Sequence, residues 1–291
     1  MAKKSESEED PNEAKKMPLL DHLIELRQRL FYGAIFVVIA FFGCWFVSND
    51  ILLFLMQPLD AAWFAKFHQH LQQFIYTSLT EPFFVRVKLS FFGAMVLAFP
   101  FVAAQIWAFV APGLYKHEKA AFLPFLVATP ILFAMGAALL YYVLVPYAWQ
   151  FFISFQFPET PDHPALELLP KVGEYVSLMM QLVFAFGLCF QMPVLLTLLT
   201  RVGIIGSDTL KQKRRYAIVV VFVVAAIFTP PDPISMMSLA VPLVALYEIS
   251  VWLSVWVERD RERRMRESEK EDEDGNDDAK RSEGTAVTPA Q

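Results

Sequence analysis

Apolar positions along this chain gather into long unbroken runs, and charges gather between the runs. Leu19, Leu23, Leu26 and Leu30 recur at helical spacing, and His22, Glu25 and Arg29 follow the same spacing on a second face. Phe31 to Ser48 follows with no charge at all, so an amphipathic polar segment leads directly into a bilayer-length apolar run. Span 1 is predicted over about 30–49, span 2 over about 84–111, span 3 over about 120–146 and span 4 over about 175–200. Span 5 starts only at Tyr216 and stops at Pro230-Pro231, and span 6 covers about 234–257 with Glu248 inside it. Span 5 therefore has about 14 residues, roughly 21 Å of helix at 1.5 Å per residue, against a hydrocarbon core of about 30 Å.

The segments between the runs are polar or proline-rich. Pro58, Trp63, Phe64, His68, His70 and Tyr76 predict short helices lying at an interface between spans 1 and 2. Pro158, Pro161, Pro164 and Pro170 predict a loop before span 4, and Tyr141, Tyr142, Tyr147 and Trp149 an interfacial belt. The expected fold is all-α: a polytopic membrane protein of six spans, the last two short and joined by a tight Thr-Pro-Pro-Asp-Pro turn. Local bilayer thinning, or water access from the outer side, is expected there. Residues 1–16 are expected to be a disordered polar segment and 17–257 the membrane domain. Residues 258–291 form a charged tail, whose start prolongs span 6 as a charge-laced helix and whose remainder is disordered.

Composition agrees with the pattern. The chain of 291 residues is 56% hydrophobic with 28 Phe, and its mean hydropathy is +0.41, more apolar surface than a soluble domain can hide. The net charge of −5 resides in the tails and says little about partners; nothing points to nucleic acid. The N-terminal segment, the loops after spans 2 and 4, and the tail hold 21 of the 25 Lys and Arg, which predicts both termini in the cytoplasm. Cys44 and Cys189 lie in apolar runs and read as small core residues. No cleavable signal peptide is expected, because the first apolar run begins near residue 30 and is too long.

Polar groups inside the runs are few: Thr129, Gln181, Gln191 and Glu248. That is too sparse for the relay of a six-span small-solute transporter, the main rival reading. His117-Glu118 lacks the second histidine of a zinc-protease helix, and Gly-x-Ser-x-Gly is absent, so no enzyme, cofactor or metal site is expected. Glu25 and Arg29 can form an i, i+4 pair worth about 0.2–0.5 kcal/mol. Glu118 reads as a solvated loop charge or as a carboxylate at the N-terminus of span 3. Gln191 reads as an interhelical hydrogen-bonding group, and Glu248 as a carboxylate in the cytoplasmic half that needs a partner.

Several stretches, in order, resemble the TatC family, the multi-span receptor subunit of the twin-arginine protein translocase. They are His22-Leu-Ile-Glu-Leu-Arg-Gln-Arg29, Pro58, Glu81-Pro-Phe-Phe with Lys88-Leu, and Gln105-Ile-Trp-Ala-Phe-Val-Ala-Pro-Gly-Leu-Tyr-Lys-His-Glu118. Phe190-Gln-Met-Pro193, Lys213-Arg-Arg-Tyr216 and Thr229-Pro-Pro-Asp232 complete the set. The resemblance implies six spans in the bacterial cytoplasmic (inner) membrane and recognition of twin-arginine signal peptides of folded precursors at the cytoplasmic face. It also implies export driven by the proton gradient with TatA-like and TatB-like single-span subunits, and a homo-oligomer within the complex. By position, Glu25 and Glu118 would face the two signal arginines, with Arg27, Phe109, Lys116 and His117 beside them. Pro58, Phe83, Gln191, Thr229, Asp232 and Glu248 would serve structure or partner contact. Two positions depart from the family pattern: Gln191 stands where many relatives carry Glu, and Met236 where some carry a polar residue.

Overall fold

The computed structural model describes residues 11–71, 73–110, 119–157, 166, 168–229 and 233–285. Its named elements are all helical; among the described residues extended pairing is confined to the isolated bridges Ile75 with Lys171 and Phe157 with Leu166. The chain divides into two compact units, 1–190 and 191–291.

The first unit holds α1 (Pro11–Phe46), α2 (Ser48–Phe67), α3 (Glu81–Val110), α4 (Lys119–Leu139), a π-helical turn (Leu140–Leu144), α5 (Val145–Ile153) and α6 (Val172–Cys189). α1 starts at Pro11, inside the segment expected to be disordered, and proline suits a first helical turn. α1 packs along α3: Phe36 stacks on Phe101 with centroids 4.6 Å apart, and Trp45 meets Phe83 edge-on at 6.2 Å. α4 meets α3 through Phe99 and Phe133, stacked at 4.0 Å, and meets α6 through two glycines. A Cβ at Gly187 would stand 2.4 Å from the Phe133 ring, and one at Gly136 would stand 2.6 Å from the Phe190 ring. Small residues at such crossings let helices approach where water supplies no driving force. Leu30, Phe31, Ile39, Phe42 and Phe46 stay exposed on α1, as expected of a lipid-facing surface.

The segment between spans 1 and 2 is one 20-residue helix, α2, and not several short ones. Pro58 lies inside it and is buried, although proline removes the bond to the carbonyl four residues back, here Phe54. The Tyr141 hydroxyl donates to that carbonyl at 2.5 Å, and its ring stacks on Phe54 at 4.3 Å. At the next residue, the Tyr175 hydroxyl donates to the Leu55 carbonyl at 2.7 Å. Tyr141 sits in the π turn, where the Val145 N–H reaches back five residues to Leu140 just before Pro146. The C-terminal end of α2 is held by Lys66, whose Nζ donates to the Ile153 carbonyl at 2.8 Å.

The second unit holds α7 (Met192–Val202), α8 (Ser207–Gln212), α9 (Arg214–Phe228) and α10 (Pro233–Thr285). Its core joins Leu210 of α8 to Tyr247 and Val251 of α10. Among the described residues five helices are long and apolar enough to cross a membrane: Leu23–Phe46, Glu81–Phe109, Pro124–Ile153, Val172–Val202 and Met236–Arg263. The fourth of these leaves the helix at Phe190-Gln191, ahead of Pro193. α9, with 15 residues, is shorter than any of the five at about 22 Å, in line with the expected short fifth span. α10 is long as a helix and runs through the charged tail to Thr285, past the point where disorder was expected. The tail there is rich in Glu, Lys and Arg, which pair well at helical spacing.

The Pro58 account is tested by a double-mutant cycle. Tyr141→Phe strands the Phe54 carbonyl and should cost about 1–3 kcal/mol of unfolding free energy in detergent. In a Pro58→Ala background the helix recovers its own donor, and the same change should cost less than half as much. Equal costs in both backgrounds would contradict the pairing.

Candidate functional site

Helix pairing decides which ends of the first unit share a face. α1 and α3 run antiparallel: Gly33 faces Val102, Phe36 faces Phe101, and Cys44 faces Gly93. α3 and α4 do the same, since Phe99 faces Phe133 while Trp107, nearer the end of α3, faces Phe125 and Thr129. Continuing the first register from Gly33 back to Glu25 leads along α3 to Phe109 and Val110. Continuing the second from Trp107 leads to the start of α4 at Lys119. Glu25, the end of α3 and the start of α4 are therefore level with one another. A polar bridge pins this end: Trp107 Nε1 donates to Thr129 Oγ1 at 3.0 Å, and that hydroxyl donates to the Phe125 carbonyl at 2.8 Å.

Glu25 stands half-buried on α1, where an apolar seam gives way to polar residues. Arg29, one turn on, donates to Glu25 Oε1 from Nε at 2.9 Å and from Nη2 at 2.5 Å. The side chains are 27% and 35% exposed for Arg29 and Glu25, so a solvent-borne cation can reach the carboxylate. Arg27 is exposed, and Phe109 is half-buried at the end of α3. Lys116, His117 and Glu118 lie outside the described residues, as does Asp232.

The remaining candidates sit elsewhere. Phe83, exposed, lies in the first turn of α3 beside Trp45, at the end opposite Glu25, and Pro58 is buried in α2. In the second unit, Gln191 is buried and precedes α7, its carbonyl accepting the Leu195 N–H at 2.9 Å. Thr229 ends α9, and its hydroxyl donates to the Ala225 carbonyl at 2.8 Å. Glu248 has a partner: Arg214 Nη2 lies 2.9 Å from its Oε2, both side chains about half exposed. Arg214 opens α9, so this pair marks one end of the short span on both helices. The Tyr247 hydroxyl beside it donates to the Leu210 carbonyl at 2.7 Å, and Glu258 Oε2 accepts the Ser207 N–H at 3.1 Å, tying α10 to α8.

Sequence reading missed Tyr141, Tyr175 and Arg214 as structural partners. Pro58 signals a freed carbonyl at Phe54 but does not identify Tyr141 as its donor. Glu81 was seen only as part of a motif. Its carboxylate accepts the Thr77 N–H at 2.9 Å and the Gly173 N–H at 3.0 Å, locking the ends of α3 and α6 together.

Comparison with known proteins bears on the family and the fold. Residues 21–242 match the family model described as Sec-independent protein translocase protein (TatC). The chain is 43% identical over 249 residues to Sec-independent protein translocase protein TatC of Magnetococcus marinus, covering 84% of this chain and 87% of that one. It is 37% identical over 237 residues to the protein of the same name from Escherichia coli K12, covering 81% and 88%. A crystal structure of the twin-arginine translocase receptor TatC superposes with a TM-score of 0.69 at 33% identity, over 81% of this chain and 99% of that one.

The Arg214–Glu248 pair yields a prediction. Being half exposed, it contributes no more than about 1 kcal/mol. Glu248→Gln should therefore change thermal stability little, whereas Arg214→Glu sets two carboxylates together and should lower it clearly. Adding Glu248→Arg should restore it; failure to restore would show that the two side chains do not pair.

Proposed function

Since the chain belongs to the TatC family of Sec-independent protein translocase components, we propose that Glu25 and Glu118 together grip the two arginines of a twin-arginine signal peptide at the cytoplasmic membrane surface. The family places the chain in the bacterial inner membrane as a multi-pass subunit of a protein translocase, and not among small-solute transporters. The observation that carries the proposal is the common level of Glu25, the end of α3 and the start of α4. Lys119, the residue after Glu118, opens α4 there.

The chemistry follows from the groups involved. A guanidinium presents a planar fork of donors that a carboxylate can accept along two parallel bonds. Arg29 already directs Nε and Nη2 to one oxygen of Glu25, so the carboxylate is kept oriented and a signal arginine exchanges for an internal one. Close to apolar surface the attraction is screened less than in bulk water. Arg27 borders the site and Phe109 gives it an apolar edge for the signal's hydrophobic stretch, while Lys116 and His117 are assigned to it by the family motif alone.

The positions of Lys and Arg support placing both termini, and the loops after α3 and α7, in the cytoplasm. Single-span TatA-like and TatB-like subunits and further copies of this chain would complete the complex, with export energised by the proton gradient. Pro58, Phe83, Gln191, Thr229 and Asp232 serve shape and subunit contact in this reading.

Glu25→Ala or Glu118→Ala should abolish export of a twin-arginine reporter while the protein still inserts at normal levels. A charge-assisted pair is worth about 1.5–3 kcal/mol, so each change should weaken signal-peptide binding roughly ten- to a hundredfold. Lysine at either position should be worse than alanine, because it repels the cationic client. Normal export and binding in the double alanine variant would reject the assignment.

A further inference from the structure

On the face of the first unit opposite Glu25, a cavity of about 290 Å³ lies beside the break between α1 and α2. Ser48, Asn49, Tyr76, Glu81 and Arg86 contribute its polar lining. Arg86 is the sixth residue of α3, about 7 Å along from the start of that helix. This level matches the end of the uncharged run of α1, which closes at Ser48. A cation at that depth is costly without a counter-ion.

Each nearby group explains part of how Arg86 is held, and none neutralises it. Arg86 Nε donates to Ser48 Oγ at 2.8 Å, and that hydroxyl, itself fully buried, donates to the Trp45 carbonyl at 2.9 Å. The guanidinium carbon lies 5.8 Å from the centre of the Trp45 ring. Glu81 is the cavity's only carboxylate, and it is engaged by the Thr77 and Gly173 N–H groups. Among the described residues Arg86, itself exposed, has no ion-pair partner, and it lines the cavity with its charge unmatched. Asn49 and Tyr76, both exposed, add neutral donors around the same space. Deeper along the same helices lie Phe42 and Phe46 of α1, before Ser48, and Phe91 of α3, after Arg86, all large, apolar and exposed.

We propose that this cavity binds the phosphodiester of a phospholipid headgroup, with Arg86 as the paired cation and the phenylalanine surface below it receiving the acyl chains. An anion at the edge of an apolar belt, with chains descending along exposed rings, is the chemistry of a membrane lipid. In the orientation proposed above, the lipid belongs to the outer leaflet. Ser48 and Trp45 fix the guanidinium plane, so the site reads a tetrahedral anion and not merely a surface potential.

The test uses the full-length protein in detergent, titrated with dioleoyl-phosphatidylglycerol and followed by native mass spectrometry. Arg86→Gln should weaken retention of the most tightly held lipid by about tenfold, whereas Lys88→Gln, an exposed cation two residues away, should leave it unchanged. Arg86→Lys should fall between, since it keeps the charge and loses the fork. A phosphatidylglycerol carrying a photoreactive group next to its phosphate should label peptides 45–52 and 76–89 of the unaltered protein, which holds the proposal to account even if the variants misfold. Equal retention in Arg86→Gln and the parent, or labelling elsewhere, overturns the proposal. Displacement of the lipid by millimolar inorganic phosphate overturns the lipid assignment in favour of a free-anion site.

Discussion

Antiparallel packing of α1 on α3, and of α3 on α4, decides which parts of the chain share a membrane face. The packing rests on stacked rings, Phe36 on Phe101 and Phe99 on Phe133, and on the Trp107–Thr129 hydrogen bond near one end. These contacts fix the axial register of three long helices. Glu25 is far from the start of α4 in sequence, yet the register carries both to the same level. A receptor site at the membrane surface needs that alignment more than it needs any pocket, because its ligand is a peptide approaching along the surface.

A second constraint is that backbone groups in hydrocarbon must find partners within the protein. Prolines break that rule locally, and at two of them, Pro58 and Pro146, the remedy is visible. Tyr141 supplies the donor that Pro58 denies to Phe54. The π turn ahead of Pro146 shifts the Val145 N–H to Leu140. These repairs cluster where α2, the π turn and α6 meet, at the end opposite Glu25. The family-matching Pro58 therefore sits in a braced frame and not in a flexible linker.

Much of this was legible in the amino-acid order. The long runs without charge defined the long helices, and Tyr216 to Pro230 defined a helix too short to span an ordinary bilayer. The i, i+4 pair of Glu25 and Arg29 and the need of Glu248 for a partner were also visible. What escaped was set by contacts between distant segments. Nothing near Pro58 in sequence announces Tyr141, 83 positions on, so the linker read as broken helices when it is one. Nothing near Glu248 announces Arg214, which belongs to a basic loop that looks solvated. The membership of Glu118 in the site came from family resemblance; periodicity around it left two readings open.

The central claim is that Glu25 and Glu118 meet one ligand at one surface. The most direct measurement places a photoreactive amino acid at position 25 or 118 of the assembled, membrane-embedded protein and maps crosslinks to a twin-arginine signal peptide. The account predicts crosslinks from both positions to the neighbourhood of the arginine pair, lost when the two arginines become lysines. Crosslinks from neither position, or from position 83 on the opposite face in their place, would contradict it.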